Sequence, residues 1–171
     1  PQLMTDILEQ KPVSDPHVMF MAIDDVHAAS RAALQVSQFE ADIRVLTELR
    51  KVFIVKGGGN NRSESYDLPW YFAAHRTKID SVKRRGQKGF LFTMGDEEAP
   101  YQINSPYELS LVFGPDAQYS ALTPEQALKD AKEQYHVFHI VIEQGSHYQG
   151  RPDAVRESWT ELMGTNVLFL K

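Results

Sequence analysis

The residues best placed to do chemistry are carboxylates that close apolar runs. Phe90-Leu91-Phe92 is short, aromatic-rich and preceded by Gly89, and it reads as a central strand of a parallel sheet, buried on both faces. Thr93, Gly95 and Asp96 follow at its carboxyl end, with Glu97 and Glu98 behind them. Ligands of open α/β sheets collect outside the carboxyl ends of the strands. A hydroxyl, a glycine and a carboxylate placed there suit a hard cation or a polar ligand, and the plainer reading makes Asp96 a cap for the next segment. The run His17–Ile23 ends in the same way, at Asp24-Asp25, which reads best as a turn or a helix cap.

A third candidate loop is Lys56-Gly57-Gly58-Gly59-Asn60-Asn61-Arg62-Ser63-Glu64-Ser65, after a short strand over Val52–Val55. Three glycines let the backbone approach a ligand closely, and Asn60, Asn61 and Ser63 offer neutral oxygens. The loop contains neither G-K-[ST] nor G-x-G-x-x-G, so it is not a phosphate-binding P-loop. His75, His136, His139 and His147 could supply a general base beside Asp96 or Glu97. No nucleophile elbow and no H-E-x-x-H supports that use. His136 and His139 lie an odd number of residues apart and therefore face opposite sides of a strand. His27 has no partner at metal-ligand spacing and reads as a surface residue.

The elements that must position these residues alternate. Helices are expected over Leu3–Gln10, Phe39–Arg50, Tyr66–Val82, from Thr123 as N-cap to Gln134, and over Asp153–Met163. Strands are expected over Val18–Ile23, Val52–Val55, Phe90–Phe92, Tyr135–Ile142 and Asn166–Leu170. Pro106–Phe113 fits either type. Strands alternating with helices imply an α/β domain with a mainly parallel sheet.

The chain has 171 residues, 42% of them apolar, which suits one domain with its own core. Its net charge of −5 argues against a nucleic-acid partner. The basic group Lys83-Arg84-Arg85 with Lys88 reads as a solvated helix end that favours the helix dipole. No apolar run approaches a membrane span, and the first residues carry no basic start or apolar core of a signal peptide. There is no cysteine, which excludes disulfides and thiolate metal sites and is compatible with a reducing compartment. The expected location is the cytoplasm, with no membrane partner.

Gly57-Gly58-Gly59-Asn60-Asn61 leading into a helix, with a later strand closing on Thr93-Met94-Gly95-Asp96-Glu97, resembles a von Willebrand factor A domain. Leu34–Asp42, Tyr71–Ala74 and Lys88–Phe92 resemble A-like proteins of bacteria and their phages. The resemblance spans about His17 to Leu170. It implies a doubly wound, Rossmann-like sheet with helices on both faces, and a metal-ion-dependent adhesion site. In that site Asp96 matches the third loop, and Asn61 or Ser63 stands where the second loop carries Thr. The first-loop motif Asp-x-Ser-x-Ser occurs nowhere in the chain.

The resemblance therefore implies an incomplete Mg²⁺ site of Asp96, Asn61 and Ser63, binding metal weakly or not at all. It also implies one A-like domain over residues 1–171, truncated at its N-terminal side. The strand missing from it would lie between Val18–Ile23 and Phe90–Phe92. The expected function is a non-catalytic binding module that recognises a protein partner through loops at the carboxyl edge of the sheet. The partner, or a preceding segment, would fill the gap, and an oligomer is compatible. A structural subunit of a larger, phage-related assembly is the alternative, and a hydrolase using histidine and aspartate a weaker one.

Overall fold

The computed structural model describes residues 6, 9–10, 13, 15–27, 32–42, 44–53, 62–117 and 120–171. Its centre is a parallel sheet of three strands in the order β3(Gly89–Gly95), β4(Tyr135–Ile142), β5(Val167–Leu170). A separate antiparallel pair joins β1(Met21–Ile23) to β2(Leu34–Val36). The helices are α1(Arg44–Leu49), α2(Asp67–Arg76), α3(Asp80–Arg85), α4(Pro106–Phe113), α5(Pro124–Gln134), α6(Ser146–Gly150) and α7(Pro152–Met163). A 3₁₀ turn, Gly164–Asn166, leads into β5.

The alternation along the strands decides which face is covered. Leu91 pairs with Val137 and Thr93 with His139, and all four are buried. One hydrophobic cluster packs beneath them, built from α2, α5 and α7 around Leu68, Trp70, Tyr71, Leu128, Val155 and Trp159. The opposite parity carries Phe90 against His136, Phe92 against Phe138, and Met94 against Ile140. Phe90, Phe92 and Met94 are 55%, 50% and 56% exposed. Among the described residues the parallel strands are therefore covered on one face only, and the expected burial of Phe90–Phe92 on both faces does not hold. The fold is mixed α/β with a parallel sheet, and among the described residues the helices do not lie on both faces as a doubly wound sheet requires.

The sheet order differs from expectation as well. Val18–Ile23 does not flank a gap beside Phe90–Phe92. It turns back on the residues that follow: Met21 pairs with Val36, Ile23 with Leu34, and Val18 bridges Glu40. The Asp24 N–H donates to the Ala33 carbonyl and the Phe20 N–H to the Ser37 hydroxyl. A partner so near in sequence satisfies the backbone at low loop-closure cost. Among the described residues, β3 is paired on one edge alone.

The helices follow local chemistry. Thr123 caps α5, accepting from the Gln126 N–H, with Pro124 in the first helical position as expected. The undecided Pro106–Phe113 is helical because Ser105 and Glu108 form a reciprocal capping box. Tyr66–Val82 is two helices rather than one. At Thr77 the backbone is extended, and its hydroxyl donates to the Ala73 carbonyl and hydrogen-bonds the Tyr135 hydroxyl, both at 2.6 Å. The helix expected from Phe39 begins only at Arg44, because Glu40 is held in its bridge to Val18. Val52 and Phe53 are not in a strand, and Ile54 and Val55 lie outside the described residues. Of Leu3–Gln10, the described Asp6, Glu9 and Gln10 are helical. The basic triplet closes α3 in its last turn, as expected.

Candidate functional site at the carboxyl edge

The loops that leave β1 and β3 meet the segment before α2 at one end of the molecule. The Glu98 N–H donates to the Arg62 carbonyl at 3.1 Å, pinning the loop after β3 to the end of the Gly-rich segment. Ser65 ties in the turn after β1: its hydroxyl accepts from the Val26 N–H at 3.1 Å and donates to Asp25 at 3.3 Å. Asp25 and Ser65 are buried. Asp24 accepts from the Asp25 N–H and Asp25 from the His27 N–H, so both aspartates do build the turn expected of them.

That turn also brings charge. Glu64 and Glu97 each feel Asp24, Asp25 and Asp96, and each other through the field at Glu64. Burial is the larger cause, and these neighbouring carboxylates add to it, so that both groups are pushed up to about 7. Glu64 Oε2 and Glu97 Oε2 are buried without a hydrogen-bond partner. The sequence singles out Glu97 only as a carboxylate beside a histidine base, and gives Glu64 no role. The visible signal was that acids end both the β1 and the β3 run, and that Glu64 lies in the Gly-rich loop.

Asp96 has a structural task. Its Oδ2 accepts from the His147 N–H at 2.9 Å, at the start of α6, so it caps a segment 51 residues onward rather than the next one. Gly145 makes room for it: a Cβ there would sit 2.2 Å from the Asp96 carboxylate. Gly95 serves Tyr66 in the same way, since a Cβ would meet the Tyr66 hydroxyl at 1.9 Å. The Glu97 N–H hydrogen-bonds that hydroxyl, and burial pushes the Tyr66 phenol up.

Ser63 is buried, and its hydroxyl donates to the Glu64 carbonyl. It lines a small cleft with Glu64, His27, Asp67 and Tyr101. Asp67, at the start of α2, is paired with Asn104 and pushed up to about 7, chiefly by burial. His27 is not the surface residue expected: it is partly buried, with Nδ1 2.8 Å from Glu108. Asn61 and the triple glycine lie outside the described residues. Among the described residues no three of His, Asp and Glu are arranged to hold a metal ion.

The histidines do not gather here. His75 pairs with Asp130 at 3.1 Å, between α2 and α5. His136 is exposed on the uncovered sheet face, and His139 is fully buried. The His139 ring stacks on Trp159 at 3.4 Å, with the Thr93 hydroxyl 2.9 Å from Nδ1. Burial holds it down to about 3, so it stays neutral in the fold. Of the four candidates, His147 alone reaches the edge, 3.9 Å from Glu98, which Arg151 approaches at 3.0 Å. Among the described residues no helix is long and apolar enough to cross a membrane. No family model, curated protein or solved structure matches the chain.

Proposed function

We propose that this chain is a non-catalytic binding module that takes a cationic group of a protein partner on the acidic carboxyl edge. The observation that carries the reading is the pair Glu64 and Glu97. Both are raised to about 7 within the field of Asp24, Asp25 and Asp96, and each has an oxygen without a hydrogen-bond partner. A cation brought to that edge relieves the repulsion and takes the place of the protons these carboxyls hold near pH 7. The cation is a Lys or Arg side chain, or a divalent ion bridging to a partner's carboxylate. The finer reading, a single von Willebrand factor A-like domain with a doubly wound sheet and an incomplete Mg²⁺ site at Asp96, Asn61 and Ser63, belongs to this proposal. It draws on the parallel strands and on Asp96 at a carboxyl end. One carboxylate with neutral oxygens seldom holds hydrated Mg²⁺ firmly, so the basic side chain is the favoured form.

Calorimetric titration near pH 7 with a lysine-rich peptide, and separately with Mg²⁺, tests this. Peptide binding should release protons, seen as a heat that changes with the ionisation enthalpy of the buffer, and Glu64→Gln with Glu97→Gln should abolish the release. Absence of binding by both probes, or binding that the double variant leaves intact, refutes the reading. The second reading, a structural subunit of an assembly, draws on the exposed apolar sheet face.

A further inference from the structure

We propose that the uncovered face of the parallel sheet is a homodimer interface, on which a second copy of this chain stacks its own sheet with the strands antiparallel. Phe90, Phe92 and Met94 of β3 and Leu168 and Leu170 of β5 are each half exposed, and Phe138 and Ile140 of β4 lie partly covered between them. The five half-exposed side chains alone offer roughly 600 Å² of apolar surface. Two copies would then bury about 1,200 Å², the lower bound of stable specific interfaces. Parallel strands are ordinarily covered on both faces. Sheets stacked face to face lie about 10 Å apart, close enough for such side chains to interdigitate.

Charge selects the occupant. Among the described residues the face carries no Asp, Glu, Lys or Arg, and His136 at its amino end is its one titratable group. Beyond the amino ends of the strands stand Lys83, Arg84, Arg85, Lys88 and Lys132, which outnumber the acids Asp80 and Glu133 there. Beyond the carboxyl ends stand Asp96, Glu97, Glu98 and Glu143, which outnumber the basic groups there, Arg151 paired with Glu98, Arg156 paired with Glu143, and Lys171. A partner of uniform charge matches one rim and repels the other. A second copy turned about a twofold axis sets each basic rim over an acidic one, which is the self-complementarity that a twofold interface requires.

Sedimentation equilibrium of the 171-residue chain, from low-micromolar to several hundred micromolar, tests the interface. The wild type should pass from monomer to dimer across that range. Phe92→Lys should raise the dissociation constant by more than about tenfold, with an unchanged far-ultraviolet circular dichroism spectrum. Leu111→Lys, on the exposed side of α4, should leave it alone. If Phe92→Lys fails to fold, Leu168→Lys at the other side of the face reads the same loss. A wild type that stays monomeric throughout overturns the inference, whatever else covers the face. So does a dimer that survives Phe92→Lys and Leu168→Lys, or one broken by Leu111→Lys.

Discussion

Removing the charge from Glu64 and Glu97 together should flatten the pH dependence of stability between pH 5.5 and pH 8. Both carboxyls move from an unfolded value of 4.5 to about 7 in the fold. A raised carboxyl holds its proton in the folded chain while the unfolded chain has lost it. Folding is therefore favoured on the acid side, and that contribution is lost as the pH climbs from about 4.5 through about 7. For one fully buried group the loss between pH 5.5 and pH 8 is about 2 kcal/mol. The two side chains are only partly buried and Glu64 titrates in the field of Glu97, which about halves the figure. The pair then accounts for about 2 kcal/mol in all. Asp67 contributes with the same sign but stays in both proteins, so the difference between the two curves isolates the pair. Urea unfolding at closely spaced pH values, wild type against Glu64→Gln/Glu97→Gln, reads it directly. The variant should gain about 2 kcal/mol on the wild type between pH 5.5 and pH 8. Parallel curves would show that the carboxylates do not share one field.

Three further outcomes follow from the packing. In a nuclear magnetic resonance titration, the buried His139 ring should stay neutral and flat down to about pH 4, because charging it means burying an unpaired cation against Trp159. The unfolded chain protonates that ring below about pH 6.5, so this contribution to stability should be present above pH 6.5 and fall away on acidification. Gly145→Ala drives a methyl group into the Asp96 carboxylate and should cost about 1–3 kcal/mol in urea unfolding, whereas Gly150→Ala, with open space around it, should not destabilise. Ser105→Ala breaks the capping box of α4 and should cost about 1 kcal/mol by the same assay.

Local rules reach far into this molecule. Thr123-Pro124 starts a helix wherever it stands, because the hydroxyl and the fixed proline φ need no distant partner. The eight-residue run Tyr135–Ile142 is a strand by composition, and its alternation alone separates His136 from His139. Asp24, Asp25 and Asp96 are legible as acids ending strands, since an apolar run followed by carboxylates marks an edge.

What tertiary structure decided is where those edges go and what they meet. Phe90-Leu91-Phe92 is apolar at every position, so its pattern could not disclose that one face lacks a cover. Val18–Ile23 is equally apolar, and only the competition between partners set it against Leu34–Val36 rather than in the parallel sheet. Asp96 capping a helix 51 residues away, and the charge of Glu97 acting on Glu64 across two loops, arise from the approach of segments distant in sequence. The field that raises a carboxyl depends on separation in space and on excluded water, and neither quantity is written in the order of the residues.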